Sequence, residues 1–133
     1  YDKEAVKILK DNKVGLVVLA GFMRILSPYF IKSFKNRILN IHPALLPCFK
    51  GANAVRDALQ SGVKITGVTV HFVTTALDAG PIILQDAVEV KDKDTLKTLW
   101  DRIHKIEHIL YPKAIKLFLE GKLKVRENRV FIK

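Results

Sequence analysis

Two polar side chains stand two residues apart in the segment Asn40-Ile41-His42-Pro43. The run Ile38 to Ile41 predicts a strand, and side-chain alternation along a strand places Asn40 and His42 on one face. Both lie just before a proline-containing loop, at the carboxyl end of the strand, where open α/β sheets bind their ligands. The pair is therefore a candidate for binding and orienting a ligand. The structural alternative is that Asn40 satisfies loop backbone groups and His42 caps the strand.

Asp78 is a second candidate, in the segment Thr74-Thr75-Ala76-Leu77-Asp78-Ala79-Gly80-Pro81. A loop aspartate before glycine usually forms a turn, so this residue alone does not identify a site. His71 alternates with Thr69 and Val73 on a predicted strand. We therefore interpret His71 as a hydrogen-bonded, semi-buried histidine without a functional role.

Glu107 falls on the apolar stripe of a long predicted helix, where an unpaired carboxylate would be costly. Either it forms an ion pair, for example with a lysine, or it faces a cleft. His104 and His108 lie one turn apart and could in principle bind a metal. Because they lack a third ligand or a fixed motif, we interpret both as solvated side chains and predict no metal site.

The sequence does not support a serine or cysteine nucleophile. It contains no Gly-x-Ser-x-Gly turn, and Cys48 lies in a loop without a feature that would lower its pKa. The seven glycines are scattered and form no glycine-rich phosphate loop.

The elements that must position these residues follow from periodicity, capping and turn residues. Helices are predicted near Asp2 to Leu9, at Pro28 to Ser33, at Ala54 to Gln60 and from Leu96 to Leu119, with Pro112 ending or kinking the last one. Strands are predicted at Leu16 to Ala20, Ile38 to Ile41, Thr66 to Val73 and Pro81 to Val90, with a terminal hairpin at Leu123 to Ile132.

The order of these elements predicts an α/β fold with a doubly wound, mixed parallel and antiparallel sheet. The wholly apolar run Leu16 to Ala20 is typical of a strand buried on both faces, as in a parallel sheet between helices. A chain of 133 residues is large enough for one domain, residues 1–133, with one core.

Composition limits the partners of the chain. Its formal net charge of +10 favours anionic partners such as phosphate esters, polyglutamates or nucleic acid. Acids interspersed among the lysines, and the lack of interleaved aromatic residues, argue against a nucleic-acid interface. The longest apolar runs are too short for a membrane span. The single cysteine, Cys48, fits a reducing, cytoplasmic location.

Four blocks, in this order, resemble the phosphoribosylglycinamide formyltransferases of the formyltransferase family. They are Val17 to Ser27, Asn40 to Pro47, Leu77 to Ile83, and Glu107-His108 with Tyr111-Pro112. The resemblance implies a formyltransferase fold, 10-formyltetrahydrofolate as co-substrate without a metal, and glycinamide ribonucleotide as the acceptor. It also implies a monomer or homodimer.

The resemblance also assigns roles to residues. By it, the catalytic residues are Asn40, His42 and Asp78. The folate-binding residues are Met23, Arg24, Ile25, Leu26, Thr74 and Asp78. The acceptor-binding residues are Asn40 and Glu107, the latter at the ribose.

Several alternatives stay open at this stage. Formyltetrahydrofolate deformylase and methionyl-tRNA formyltransferase share the three catalytic positions, although Pro43 and Glu107-His108 favour the ribonucleotide enzyme. Ala44 stands where the family pattern carries serine. The chain begins at what resembles the middle of the family's domain, so we expect about two βα units, with the substrate phosphate loop, to lie outside it. An inactive folate-binding fragment is therefore the alternative from another functional class.

Overall fold

Six strands form one sheet in a computed structural model that describes residues 2–19 and 26–133. They are β1 (Val17–Leu19), β2 (Ile38–His42), β3 (Ile65–Phe72), β4 (Ile82–Glu89), β5 (Leu123–Arg126) and β6 (Arg129–Ile132). Their order across the sheet is β1-β2-β3-β4-β6-β5. The pairs β1–β2 and β4–β6 are parallel, whereas β2–β3, β3–β4 and β5–β6 are antiparallel. The predicted mixed sheet is therefore present.

Four helices connect and cover these strands in the described residues. They are α1 (Asp2–Asp11), α2 (Pro28–Ser33), α3 (Ala54–Ser61) and α4 (Leu96–Leu119). Apolar residues of α1 and α2 pack with those of β1 and with Ile38 on one face of the sheet. Apolar residues of α3 and α4 pack on the other face against Leu39, Val68 and Val70. Helices on both faces make the sheet doubly wound.

The protein has two apolar clusters in its described part, whereas the sequence predicted one core. One cluster centres on Leu99 and Ile103 of α4, and the other on Phe30 and Phe34 at α2. The physical reason is the layered architecture, because a sheet that is covered on both faces has one packed layer on each side. Strand side chains alternate between these two layers.

Helix α2 begins and ends where the local sequence predicted. The Phe30 N–H donates to Ser27 Oγ at 3.2 Å, and Pro28 occupies the first helical turn, where its missing N–H costs nothing. The Ser27 N–H donates to Asp2 Oδ2 at 2.9 Å, which joins the start of α1 to the start of α2.

Helix α4 does not end at Pro112 but continues to Leu119. Proline removes one helical hydrogen bond and costs about 3 kcal/mol in a helix interior. Leu110 and Ala114, on either side of Pro112, are both buried. Ile103, about two and a half turns before the proline, is buried as well. Because the packed face extends across the proline, tertiary burial outweighs the local cost.

Strand β1 differs from the expectation of a strand buried on both faces. Val17 and Leu19 are half-buried, but 41% of Val18 is exposed. Val18 pairs in register with Leu39, which is fully buried under α4. The helical layer on that face therefore covers β2 and leaves the side chain of Val18 partly open.

Candidate active site

The polar candidates lie on one face of β2 and β3, opposite to α4. Leu39 and Ile41 pack toward α3 and α4, so Asn40 and His42 project from the other face. In the antiparallel register Asn40 is opposite His71, and His42 is opposite Thr69. The strand alternation thus places these polar side chains together on the sheet face opposite to α3 and α4.

His42 is buried, with both ring nitrogens close to protein groups. Its Nε2 lies 2.7 Å from the carbonyl oxygen of Phe49, and a carbonyl only accepts, so Nε2 carries the hydrogen. Its Nδ1 lies 3.7 Å from Oδ2 of Asp78. In the neutral ring Nδ1 is therefore the unprotonated nitrogen, and it faces the carboxylate.

Asp78 lies in the loop between β3 and β4 with φ of +49°, in the left-handed region. Asx side chains tolerate that region, which agrees with the turn-forming tendency of aspartate. Its Oδ2 accepts a hydrogen bond of 2.9 Å from the Gly51 N–H. The residue thus forms a turn and also directs its carboxylate to His42.

The loop that contains Asp78 is closed at its base by a tight contact between Gly80 and Phe72. A Cβ at this position would lie 1.8 Å from the carbonyl oxygen of Phe72, so only glycine fits. The Phe72 N–H also donates to the Pro81 carbonyl at 2.9 Å. These contacts hold the ends of the loop together and set where Asp78 emerges.

His71 is more deeply buried than the semi-buried side chain that the sequence predicted. Only 2% of it is exposed, and its Nδ1 donates to the Phe72 carbonyl at 3.0 Å. Its Nε2 has no hydrogen-bond partner within residues 2–19 and 26–133. Burial lowers the pKa of His71, while the Phe72 carbonyl and the Asp78 charge oppose that shift. The ring is therefore neutral at pH 7 and offers an acceptor nitrogen beside Asn40.

Two residues that the sequence did not single out hold the loop after His42. The Thr69 hydroxyl donates to the Ala44 carbonyl at 2.7 Å and accepts from the Leu46 N–H at 3.1 Å. The Gln85 amide donates to the Leu46 carbonyl and to Thr69 Oγ1, both at 3.0 Å. The sequence feature that could have identified Thr69 is a polar residue between Val68 and Val70 in an otherwise apolar strand.

The predicted folate-binding residues are only partly described. Met23, Arg24 and Ile25 lie outside the described residues. Leu26 is buried in the cluster of α1 and α2, so its side chain serves the core. Thr74 forms a local turn in which its Oγ1 accepts from the Ala76 N–H at 3.3 Å.

Glu107 pairs with a histidine and not with a lysine. Its Oε1 lies 2.7 Å from His104 Nδ1, with 15% of the Glu107 side chain exposed against 53% of the His104 side chain. The His104 ring in turn stacks on Trp100, with 4.7 Å between the ring centroids. The exposed His104 ring, stacked on the half-buried Trp100, thus flanks the carboxylate.

The turn of α4 that carries Glu107 reaches the carboxyl end of β1. Tyr111, four residues later on the same side of α4, donates its hydroxyl to the Leu19 carbonyl, and the Leu39 carbonyl lies 3.0 Å away. Burial raises the pKa of the Tyr111 hydroxyl, which stays protonated as a donor. Since Leu19 is in register with Asn40, this contact brings α4 beside the strand ends that carry the candidate site.

Two negative findings concern the described part of the chain. No group of three or more His, Cys, Asp or Glu side chains in residues 2–19 and 26–133 could hold a metal ion. No helix within these ranges is long and apolar enough to cross a membrane.

Residues 1–115 match the protein family described as Formyl transferase. The chain belongs to the formyl transferase family. It is 50% identical over 127 residues to the trifunctional purine biosynthetic protein adenosine-3 of Gallus gallus, an alignment that covers 96% of this chain. It is 44% identical over 119 residues to the phosphoribosylglycinamide formyltransferase of Bacillus subtilis, with 90% of this chain covered. The chain spans 13% of the chicken protein and 61% of the Bacillus enzyme.

Solved structures of the family have the same fold. The glycinamide ribonucleotide transformylase 1 of Symbiobacterium toebii superposes with a TM-score of 0.95 at 51% identity, over 98% of this chain and 62% of that one. A formyltetrahydrofolate deformylase from Pseudomonas syringae superposes with a TM-score of 0.93 at 33% identity, over 98% of this chain and 44% of that one. These similarities confirm the α/β formyltransferase-type fold that the sequence predicted.

Proposed function

We propose that this chain is the folate-binding and catalytic part of a phosphoribosylglycinamide formyltransferase, which moves a formyl group from 10-formyltetrahydrofolate to the amine of glycinamide ribonucleotide. The observation that carries the proposal is the approach of His42 to Asp78 at 3.7 Å, with Asn40 on the same sheet face. Membership of the formyl transferase family supports it, as does the similarity to relatives named as enzymes of purine biosynthesis.

Asn40 and His42 are proposed to stabilise charge on the reacting oxygen. When the neutral amine attacks the formyl carbon, negative charge develops on the formyl oxygen. A donor placed at such an oxygen is typically worth ~3 kcal/mol by mutation. The Asn40 amide NH₂ is a suitable donor, and His42 is one when Nδ1 carries a proton, since its Nε2–H already donates to the Phe49 carbonyl. Because two strand residues on the same face are about 7 Å apart, one small group between them can contact both.

Asp78 is proposed to move the proton. The new bond joins the acceptor nitrogen to the formyl carbon, and the bond from that carbon to the folate nitrogen breaks. The acceptor nitrogen must lose a proton, which the Asp78 carboxylate can accept directly or through water and return to the leaving folate nitrogen. His42 Nδ1, which faces Asp78, can carry the same proton. Neither a metal nor a covalent intermediate is needed for this sequence of steps.

Substrate binding is proposed for the two sides of this centre. The segment Met23 to Leu26 and the loop from Thr74 to Asp78 would bind the folate, the former through backbone groups. Asn40 and Glu107 would contact the acceptor, with Glu107 at the ribose. The net charge of +10 suits a phosphate-bearing acceptor and an anionic folate. We further propose a cytoplasmic monomer or homodimer that acts on small molecules.

The test is formyl transfer from 10-formyltetrahydrofolate, followed by the absorbance of the deformylated folate with and without glycinamide ribonucleotide. It is run on the 133-residue chain and on a chimera. This chain matches 62% of the Escherichia coli phosphoribosylglycinamide formyltransferase, and the chimera joins it to the remaining part of that enzyme. We expect transfer by the chimera and much slower transfer by the chain alone, because orientation of the acceptor can account for ~7 to 11 kcal/mol of the barrier.

Three results would contradict the proposal in different ways. A folded chimera without transfer would exclude the activity. Turnover that does not need the acceptor would indicate a deformylase. If calorimetry detects no binding of folate to the folded chimera, the alternative of an inactive folate-binding fragment is excluded as well.

A further inference from the structure

Three side chains form one row across β2, β3 and β4. His42 is in register with Thr69, and Thr69 is in register with Gln85. Residues in register on antiparallel strands share a sheet face and have neighbouring side chains. The row therefore connects the candidate catalytic histidine, through a buried threonine, to an exposed glutamine two strands away.

The hydrogen-bonding capacity of the Thr69 hydroxyl is completely used. A hydroxyl has one hydrogen to donate and two lone pairs to accept with. Thr69 donates to the Ala44 carbonyl and accepts from the Leu46 N–H and from the Gln85 amide. None of its residue surface is exposed to solvent. A fully satisfied, buried hydroxyl of this kind fixes the groups that it contacts.

Gln85 closes the same connection from the surface. Its amide nitrogen has two hydrogens, one for Thr69 Oγ1 and one for the Leu46 carbonyl. Thr69 and Gln85 thus hold Leu46 through both its N–H and its carbonyl. The backbone of residues 44 to 46 is thereby attached to β3 and β4 at three points.

The other half of the same loop contacts the candidate catalytic side chains. The Phe49 carbonyl accepts from His42 Nε2, and the Gly51 N–H donates to Asp78 Oδ2. Phe49 has φ of +53°, which is unusual for an aromatic residue and means that the surrounding contacts determine its backbone. Residues 43–51, here called the 43–51 loop, therefore link the row to His42 and Asp78.

We propose that Thr69 and Gln85 are positioning residues for the reaction. They hold the 43–51 loop so that the Phe49 carbonyl keeps its hydrogen bond with His42 Nε2 and directs Nδ1 toward Asp78. This inference rests on the proposed function for its catalytic meaning, although its structural part concerns the hydrogen bond of His42 Nε2 alone. A ring that lost this hydrogen bond could rotate and carry Nδ1 away from Asp78.

The experiment compares four variants in the chimera described above. Thr69→Val removes the hydroxyl at nearly constant volume, and Thr69→Ser keeps it. Gln85→Met removes the two hydrogen bonds of the amide and leaves the Thr69 hydroxyl in place. Thr66→Val is the matched control, because Thr66 is on the same strand, is 2% exposed, and its hydroxyl has no partner in the described residues.

The first readout is the ¹H and ¹⁵N chemical shifts of the His42 Nε2–H group, which report its hydrogen bond to the Phe49 carbonyl, with the signals assigned by their loss in His42→Gln. The parent, Thr69→Ser and Thr66→Val should show the same shifts. Thr69→Val should show the shifts of a weakened hydrogen bond, and Gln85→Met a smaller change in the same direction. Unchanged shifts in folded Thr69→Val overturn the proposal.

The second readout is the separation of kcat from KM in formyl transfer. Thr69→Val should lower kcat by about 10- to 100-fold, as small misplacements at a reacting centre do, with little change in the KM for folate. Loss of stability without loss of kcat in Thr69→Val would give Thr69 a merely structural role and overturn the proposal. Thr66→Val should keep both properties, because it removes a buried hydroxyl that has no partner in the described residues. If Thr69→Val does not fold, Gln85→Met decides by the same criteria. A parent without transfer rejects the proposed function, and the Nε2–H shifts then test the positioning by themselves.

Discussion

His42 Nδ1 lies 3.7 Å from Asp78 Oδ2, and only 6% and 10% of these two side chains are exposed. The strand β2 carries the histidine, whereas the aspartate belongs to the loop after β3. The Gly51 N–H holds Oδ2 in place at 2.9 Å, so the approach does not depend on the pair alone. A buried acceptor of protons is thereby fixed beside a buried imidazole.

We predict that Asp78→Asn lowers formyl transfer by the chimera by roughly 100-fold or more, because proton transfer by a placed side chain is typically worth that much. The fold should persist, since the asparagine carbonyl can still accept from the Gly51 N–H. Steady-state kinetics and circular dichroism measure the two properties. Asp92→Asn, an exposed position on the surface, is the control and should be unaffected. A fully active Asp78→Asn would return Asp78 to a purely turn-forming role.

Glu107→Gln is predicted to raise the KM for glycinamide ribonucleotide by about 10- to 150-fold and to leave the KM for folate unchanged. The reason is the loss of a hydrogen bond to a charged acceptor, which is worth roughly 1.5 to 3 kcal/mol. The measurement is initial rate against each substrate in turn. Glu120→Gln, near the end of α4, serves as the control. Equal effects on both KM values would indicate that Glu107 supports the structure of the protein and does not contact the acceptor.

The buried imidazole of His71 predicts a dependence of stability on pH. Burial lowers the pKa of His71 below its ordinary value of 6.5. Between that ordinary value and the lower folded value, the unfolded chain binds a proton that the folded chain does not. This part of the stability is therefore complete above pH 6.5 and is lost as the pH falls toward the folded pKa, with a slope of up to ~1.4 kcal/mol per pH unit.

His71→Gln removes this dependence and provides the test. Urea unfolding of the parent and the variant at several pH values between 8 and 5 gives the free energy of unfolding of each. The difference between the two should shrink as the pH falls below about 6.5, because only the parent pays the protonation cost. A difference that stays constant over this range would contradict a buried neutral His71.

Gly80→Ala is predicted to destabilise the protein by about 2 kcal/mol or more, because the added Cβ would lie 1.8 Å from the Phe72 carbonyl oxygen. Gly15→Ala is the matched control, since a Cβ there meets nothing within 4 Å. The control should change the free energy of unfolding by no more than about 0.5 kcal/mol. Equal urea midpoints for the two variants would contradict the tight closure at Gly80.

Local signals in the sequence predicted the elements well. Ser27 and Pro28 determined the start of α2, and Gly62, with φ of +77°, ends α3. The terminal hairpin predicted at Leu123 to Ile132 is present as β5 and β6. Each of these features depends on residues within one turn of the chain, so the sequence carries it directly.

The sequence alone was less informative where distant parts of the chain meet. It allowed α4 to end at Pro112 and predicted a strand buried on both faces around Val18, because local rules do not include the extent of a packed layer. It named Asn40, His42 and Asp78 through a family resemblance, and their catalytic role remains a prediction. It did not single out Thr69 and Gln85, whose significance depends on strand register.

The sequence by itself therefore determined the α/β class, most element boundaries and the candidate residues. Only the tertiary structure decided that His42 faces Asp78, that Glu107 pairs with His104, and that the 43–51 loop is held by β3 and β4. The physical reason is that helices, caps and turns are set by interactions between near neighbours in the chain. The position of a carboxylate beside an imidazole depends instead on sheet register and loop closure, which form only when the whole chain packs.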